Sequence, residues 1–399
     1  MNAVHRHVRI LRSMWLPTAI LAALFACEFH DSRDGVVLSD SAGVHIVDNI
    51  YPTWRDAQQW RLSDAPATHI GVEHGDSVYE LYNVRAARRL MNGETVVADA
   101  GTSELRFYDR DGTFLFATGR AGAGPGEFES LGRVFEIAPG SLLVSDMSLG
   151  RLSVFDAQGS FVRSWSPADG VRLFFPIGHF SDGSVLLGAA VVLPEVEQQG
   201  IHRDIASYYR YSTDGSRIDS LGMFPLTERY FSSRPGGIIT RISPPFARHA
   251  CTAVGDTLLY VGTGERFEIA VYSRDGRLVR LQRFDTPPTP VTDDHIEAYM
   301  AAQTERYRRY LDGVPIPATL PAYSRFVLDE PGNLWVEEFR PYDAHLSRWW
   351  VFDNGGRLLG PVEIALDFRV EQFGEDYVIG VWQDADGVEY VRSYDLIKP

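Results

Sequence analysis

Seven basic residues stand upstream of similar turns and could together bind an anion. They are Arg85, Arg133, His179, Arg248, His249, Arg325 and Arg369. Three of them lie seven residues before a turn, and the others fall close to that register or beside one of the three. Guanidinium groups form paired hydrogen bonds with carboxylate or phosphate. A ring of such cations would attract a small anionic ligand, a peptide or a partner protein.

The same cations also have a purely structural interpretation. Arginines could pair with Asp or Glu of neighbouring repeats and hold the repeats together. Side chains also alternate between the two faces of a strand, so half of the set could point away from a shared channel. On sequence alone, the ligand-binding and the structural interpretations both stay open.

Acidic residues and glycines offer two further motifs. Asp99, Asp146 and Glu338 end equivalent strands, a pattern that acid–base chemistry or a Ca²⁺ site could use. Because they recur once per repeat, they would lie far apart, and we predict that they cap turns through local N–H groups. The glycine-rich residues 122–126 lack the Lys-Ser/Thr ending of a phosphate loop, so we predict a tight crossing between repeats.

Enzyme and metal motifs are scarce. The only cysteines are Cys27 and Cys251, too few for a thiolate metal site or a disulfide framework. We see no Ser-His-Asp pattern, and we predict no cofactor. The alternative is a metal-dependent hydrolase or lactonase with a divalent cation such as Ca²⁺ in the channel, where only Glu136 and Glu371 are near. A non-enzymatic binding or scaffold protein is the preferred prediction.

A repeated unit must position these side chains. An aromatic residue, a polar pair and a turn ending in Gly recur at residues 108–112, 155–159, 211–215, 272–276 and 352–356. Alternating apolar runs on both sides predict hairpins. Six further turns each precede a buried strand, at residues 92–93, 139–140, 182–183, 255–256, 331–332 and 374–375. Six such four-stranded units predict an all-β, six-bladed β-propeller whose innermost strands line a central channel.

The two ends of the chain complement each other. The sixth unit, residues 368–396, stops before a fourth strand can form, whereas residues 60–72 form a strand-like segment without a place in the first unit. We therefore predict that residues 60–72 supply the outer strand of the last blade and close the ring. An open array would instead need capping repeats at both ends.

Part of the chain resembles a known family. Residues 105–112, 119–128 and 142–159 are similar to bacterial six-bladed β-propellers related to NHL repeats, whose hallmark is the Gly-Pro-Gly-Glu-Phe linker found here at residues 124–128. The resemblance covers about a quarter of the chain. It implies an exported protein and a propeller architecture, and it implies far less about activity.

One insertion interrupts the repeats between blades 4 and 5, at residues 287–324. Within it, Thr292 can cap a helix that we predict over residues 292–311, with Ile296, Met300, Tyr307 and Leu311 on one face. The helix could pack against the propeller rim, or it could form a lid over one mouth of the channel, since long insertions are often functional.

The N-terminus predicts export. Arg6, Arg9 and Arg12 precede an apolar run too short to span a bilayer, which is typical of a signal peptide over residues 1–26. Residues 24–27 resemble a bacterial lipobox, so we expect a lipid on Cys27 that anchors the protein to the cell envelope, on the periplasmic or outer-membrane side. Ordinary cleavage beside a chance cysteine is the alternative. Residues 27–59 then form a tether and lead-in, and residues 60–399 form the propeller.

The net charge of the chain indicates which partners the protein could bind. The formal net charge of the 399-residue chain is −15. An acidic protein is a poor candidate for binding nucleic acid through its overall field, and we expect contact with the membrane through the lipid alone. The predicted partners are a small anionic ligand or a protein, and the propeller is predicted to be monomeric.

Overall fold

The turn glycines set the hairpins of this chain. In the computed structural model, which describes residues 35–167, 174–191, 199–234 and 238–399, each of the five predicted hairpin turns ends in a glycine at positive φ. These glycines are Gly112, Gly159, Gly215, Gly276 and Gly356. Side chains other than glycine rarely adopt this conformation, so the turn residues determine where the strands reverse direction.

The strands of the described residues form six sheets, numbered here in chain order. Sheet 1 holds β5 (Val84–Arg89), β6 (Thr95–Asp99), β7 (Glu104–Tyr108) and β8 (Phe114–Thr118). Sheet 2 holds β9 (Leu131–Ala138), β10 (Ser141–Asp146), β11 (Arg151–Phe155) and β12 (Phe161–Trp165). Sheet 3 holds β13 (Phe174–His179), β14 (Val185–Val191), β15 (Gly200–Tyr211), β16 (Arg217–Arg234) and β17 (Ile238–Ile242).

The later sheets follow the same antiparallel order. Sheet 4 holds β18 (Cys251–Gly255), β19 (Leu258–Gly262), β20 (Glu268–Ser273) and β21 (Leu278–Phe284). Sheet 5 holds β22 (Tyr323–Leu328), β23 (Leu334–Glu338), β24 (Leu346–Phe352) and β25 (Leu358–Ala365). Sheet 6 holds β26 (Phe368–Phe373), β27 (Tyr377–Gln383) and β28 (Glu389–Ile397).

Segments near the N-terminus complete two of these sheets. β3 (Arg61–Leu62) and β4 (Thr68–Ile70) both pair antiparallel with β28, within the predicted segment 60–72. Before them, β1 (Val36–Ser41) and β2 (Val44–Asn49) form a hairpin whose second strand pairs in parallel with β21 of sheet 4. A short 3-10 turn, Asp56–Gln58, lies between these segments. Part of the predicted lead-in, residues 27–59, is therefore sheet; Cys27 and the predicted signal lie outside the described residues.

The hydrophobic core lies between neighbouring sheets. One apolar cluster fills the space between each consecutive pair of sheets, and another joins sheet 6 to sheet 1 through Ile379 and Val381 on one side and Val84 and Val97 on the other. The first strand of each sheet contacts the first strand of the next, and β26 contacts β5. The mostly β chain is thus β-propeller-like, with its first strands innermost.

The acidic strand ends have two different roles. Asp99 accepts backbone hydrogen bonds from Tyr82, Gly101 and Thr102, and Asp146 accepts them from the loops on either side of it. The predicted turn-capping role is confirmed for both. Glu338 instead accepts a hydrogen bond from Trp350 Nε1 at 3.1 Å.

The insertion contains two short helices. α1 spans Asp293–Ala301 and α2 spans Glu305–Arg308, so the single helix predicted over residues 292–311 is wrong. Thr292 caps α1 as expected, but the hydroxyl of Thr304 accepts from the Tyr307 amide and starts a second helix. Thr hydroxyls compete for backbone N–H groups in this way, which favours a new N-cap over an uninterrupted helix. No helix among the described residues is long and apolar enough to cross a bilayer.

Candidate functional site

The innermost strands surround a central cavity of about 1700 Å³. β-Bulges shape its wall, because five of the six first strands carry a register shift against the second strand. A bulge inserts an extra residue and re-aims the side chains near it. Arg85 in β5 and Glu371 in β26 are such extra residues.

Five of the seven predicted cations line this cavity: Arg85, Arg133, His179, Arg325 and Arg369. Arg248 and His249 do not, which corrects the expectation from their register. The segment around them pairs with β16, through Glu228 and Leu226, before the inner strand β18 begins at Cys251. Both side chains therefore sit on the loop side of sheet 4.

Arg248 and His249 have local partners there. Arg248 lies 3.6 Å from Glu228 and donates to the Thr319 hydroxyl at 3.1 Å. His249 Nδ1 lies 3.1 Å from the Thr227 hydroxyl, and burial, followed by nearby Arg229, lowers the pKa of His249. For Arg248, the ion pair matches the structural interpretation of the cations.

Arg325 and Arg369 connect neighbouring sheets. Arg325 in sheet 5 donates to the carbonyl oxygen of Val370 in sheet 6 at 2.5 Å. Arg369 in sheet 6 donates to the carbonyl oxygen of Val84 in sheet 1 at 2.7 Å and pairs with Glu371. These two arginines hold sheets together through backbone oxygens and still present their remaining N–H groups to the cavity.

Arg133 and Arg88 differ from Arg325 and Arg369 in their contacts. Among the described residues, no carboxylate oxygen lies within 4.0 Å of either guanidinium. Burial lowers the pKa of Arg133, and the nearby positive charge of Arg325 lowers it further. Burial also lowers the pKa of Arg88, against the opposing influence of Tyr377 and Glu371. Arg133 is exposed and Arg88 is half-buried on the cavity wall, and neither has a direct counter-ion among the described residues.

Glu371 interacts with four of these arginines, and Glu136 and Glu330 interact with Arg88. Burial raises the pKa of Glu371, whereas Arg369, Arg325, Arg88 and Arg133 all act to lower it. Glu136, the other predicted acid, is occupied, since its carboxylate accepts the amides of Met91 and Gly140 at 2.8 and 2.9 Å. The wall formed by these four arginines and Glu371 therefore carries an excess of positive charge.

His179 is the last residue of β13 and lines the same cavity. Its Nδ1 is 3.3 Å from the carbonyl oxygen of Phe180, and its ring meets Phe135 edge-on at 6.2 Å. Burial is the main cause that lowers the pKa of His179. A neutral imidazole at this place adds a hydrogen-bonding group to the cavity and little charge.

Sequence reasoning missed Arg88. It is three residues after Arg85 on the same strand, so simple alternation would place the two on opposite faces. The bulge at Arg85 breaks that alternation, and both line the cavity. The tandem Arg88-Arg89 in a strand was a visible signal, but the bulge was not.

No metal-ligand cluster accompanies the arginines. Within the described ranges, no group of three or more His, Cys, Asp or Glu side chains is placed to hold a metal ion. Cys251 is buried in sheet 4, and burial raises the pKa of its thiol to about 12. The chemistry that this wall offers is recognition of negative charge.

Comparison with known proteins supports the fold. No family model and no curated protein matches the chain. A solved Bacteroides fragilis protein whose name marks it as exported has a TM-score of 0.51 at 14% identity, covering 89% of this chain and 100% of that one. A member of the DUF4221 family from Bacteroides vulgatus has a TM-score of 0.50 at 10% identity, covering 86% and 99%. The chain thus shares its β-propeller-like fold with proteins that include an exported one.

Proposed function

We propose that this protein is a non-enzymatic binding protein of the cell envelope whose central cavity binds a small anion. The observation that carries the proposal is the pair Arg88 and Arg133. Both side chains line the cavity, where Arg133 is exposed and Arg88 is half-buried, and neither has a carboxylate oxygen within 4.0 Å among the described residues. An anion would supply the missing counter-charge.

The cavity wall is positively charged, although the protein as a whole is acidic, and this local charge favours binding of an anion. Four arginines act on Glu371, and Glu136 and Glu330 act on Arg88, so the cations outnumber the carboxylates of this group in a chain whose formal net charge is −15. A positive wall inside a low-dielectric cavity focuses the field and raises the local concentration of anions. Planar guanidinium forks suit carboxylate or phosphate oxygens.

The arginines divide into two roles in this proposal. Arg325 and Arg369 are positioning residues, because each already donates to a backbone oxygen of the neighbouring sheet. Arg88 and Arg133 have no such bond in the described residues and are the proposed ligand-binding groups. Arg85 is an exposed cation on the same wall and contributes attraction over a longer range.

The architecture that we propose is a closed six-bladed ring. It is supported by the contact between β26 and β5, by the apolar cluster between sheets 6 and 1, and by the pairing of β3 and β4 with β28. In this ring, residues of the N-terminal segment and the C-terminal strand share one blade. Closure would hold the arginines of sheets 1, 2, 5 and 6 around one cavity.

The proposed location is the outside of the cytoplasmic membrane, with a lipid on Cys27. The signal-like residues 1–26 and the lipobox-like residues 24–27 support it. Metabolic labelling with a radioactive fatty acid tests the anchor: we expect label in the wild-type protein and none in Cys27→Ala. If the wild-type protein carries no label, Cys27 is not lipidated, and the protein would instead be exported by ordinary cleavage of the signal peptide.

Calorimetric titration tests the anion site. Purified protein at low ionic strength is titrated with inorganic phosphate, succinate and citrate. We expect at least one of them to bind with 1:1 stoichiometry. Arg133→Gln and Arg88→Gln should each weaken binding at least tenfold, about 1.4 kcal/mol.

Arg306→Gln is the matched control, since Arg306 is an exposed arginine of α2 far from the cavity wall. It should leave the affinity unchanged. Binding that neither cavity variant weakens, or the absence of binding by all three anions, would contradict the proposal.

A further inference from the structure

A second cavity of about 580 Å³ lies beside sheet 4, outside the arginine-lined channel. Its wall combines the loop before β18, helix α1 and the loop between β23 and β24. His249, which the sequence placed in the channel, lines this cavity instead, while its neighbour Ala250 lines the central one. A volume of this size lies within the usual range for a small-molecule site.

Four aromatic rings line this cavity, and their planes differ. Phe246 and Tyr299 lie 5.2 Å apart at 52°, and Phe246 and Phe339 lie 6.3 Å apart at 79°. Tyr299 and Tyr342 lie 5.5 Å apart at 82°. These rings contact one another, and the exposed Tyr342 offers a face on which a planar ring can stack.

The rings differ in how firmly they are held. Phe246 and Tyr299 are buried in the apolar cluster under α1, with 3% and 9% of their surfaces exposed. Phe246 has a φ of 52°, a left-handed conformation that is costly for a bulky residue and that surrounding packing must maintain. Tyr342 is 58% exposed, although it is a large aromatic residue at the cavity mouth. The floor is thus pre-formed, and one exposed ring stands at the entrance.

The charged residues of the cavity wall indicate which charge a ligand should carry. Arg340 lines the cavity and has no carboxylate within 4.0 Å in the described part of the chain. No Asp or Glu is among the described residues that line it. A cationic ligand would therefore meet Arg340 without a counter-charge, whereas an anionic group would pair with it.

We propose that this second cavity binds a planar aromatic anion. The aromatic ring of the ligand stacks on the exposed Tyr342 at the cavity mouth, and its anionic group contacts the Arg340 guanidinium. Ser243 and His249 also line the cavity. The site is independent of the central cavity, since none of the arginines near Glu371 lines it.

Calorimetry with three probes tests this site, using the Arg133→Gln protein so that the central wall contributes less. The probes are 1-naphthoate, its neutral analogue 1-naphthylmethanol, and cyclohexanecarboxylate, which is anionic but not planar. We expect 1-naphthoate to bind with 1:1 stoichiometry and the other two to bind at least tenfold more weakly. This result would show that the site requires both a planar ring and a negative charge in its ligand.

Two surface substitutions separate the contributions. Tyr342→Ala should weaken 1-naphthoate binding about tenfold, because it removes one stacking ring. Arg340→Gln should weaken 1-naphthoate to a similar degree and leave 1-naphthylmethanol unchanged. Both side chains are exposed, so the fold should persist, and melting temperatures check this.

Tyr82→Ala is the matched control, because Tyr82 is a 75% exposed tyrosine elsewhere on the molecule. It should bind 1-naphthoate like the parent protein. The proposal is overturned if no naphthalene probe binds saturably, or if binding survives both Tyr342→Ala and Arg340→Gln.

Discussion

The guanidinium of Arg369 donates a 2.7 Å hydrogen bond to the carbonyl oxygen of Val84, joining the last sheet of the chain to the first. The amide of the same Val84 donates to the Glu389 carboxylate at 2.8 Å. Both backbone polar atoms of one residue in β5 are thus bonded to side chains of sheet 6. Residues almost 300 positions apart in sequence therefore form one local contact.

Substitution of Ile70 tests whether pairing of the N-terminal segment with the last strand stabilises the fold. Ile70 lies in β4 opposite Val391, is 1% exposed, and belongs to the apolar cluster between sheets 6 and 1. Ile70→Ala should lower the free energy of unfolding by about 2–5 kcal/mol, through lost burial and the cavity left behind. Urea denaturation followed by tryptophan fluorescence measures it.

Ile218→Ala is the control for that substitution, because Ile218 is 46% exposed. It should change stability by less than about 0.5 kcal/mol. Equal effects of the two substitutions would argue against a stabilising role for the N-terminal strand.

The same Arg→Gln substitution should have different effects on the free energy of unfolding at Arg106 and at Arg133. Arg106 is buried, lies 3.2 Å from Glu104 and 3.6 Å from Asp99, and donates to two backbone oxygens. Arg106→Gln leaves Asp99 without its cation and should cost about 3–5 kcal/mol. Arg133→Gln removes an exposed cation beside Arg325, whose repulsion solvent screens, and should change stability by less than about 0.5 kcal/mol.

Urea denaturation of the ligand-free protein at low ionic strength checks both variants. A destabilised Arg133→Gln would mean that its guanidinium is a structural element of the ring. That result would favour the structural interpretation of the cavity cations.

His179 should make stability depend on pH. Burial lowers its pKa in the folded protein, so the unfolded chain binds the proton at a higher pH. The unfolded state therefore gains protons first as the pH falls below the ordinary histidine pKa of about 6.5, and stability declines. Stability should be fully present above that pH and should be lost as the pH falls towards the folded-state pKa.

The difference between wild type and His179→Gln isolates this contribution from the other titrating groups. The melting temperature of the wild type should fall more between pH 7.5 and 5.5 than that of the variant. His74→Gln, at an exposed histidine, should follow the wild type. Parallel curves for wild type and His179→Gln would contradict the prediction.

The thiol of Cys251 should be unreactive in the native protein. It is 5% exposed, and burial raises its pKa to about 12, so thiolate is scarce at neutral pH. Ellman's reagent at pH 8 should modify Cys251 only after denaturant is added. Rapid modification of the native Cys27→Ala protein, in which Cys251 is the one remaining cysteine, would show that sheet 4 opens readily.

The sequence by itself determined the strands and their order. Turn residues such as Asp111-Gly112 and Asp275-Gly276 specify hairpins through local backbone preferences, and the described sheets begin and reverse at the predicted turns. The pairing of residues 60–72 with the last sheet was also predictable, because an incomplete unit and an unused strand complement each other. These features depend on neighbours in sequence or on a simple count of strands.

Only the tertiary structure decided which side chains meet. Bulges at Arg85 and Glu371 break the alternation from which facing is inferred, so Arg88 enters the cavity wall unforeseen. Pairing with β16 diverts Arg248 and His249 from the channel to the neighbourhood of the second cavity. The hairpin Val36–Asn49 docks on β21 through contacts more than 200 residues apart. Each outcome depends on packing between distant segments, which no local pattern of residues encodes.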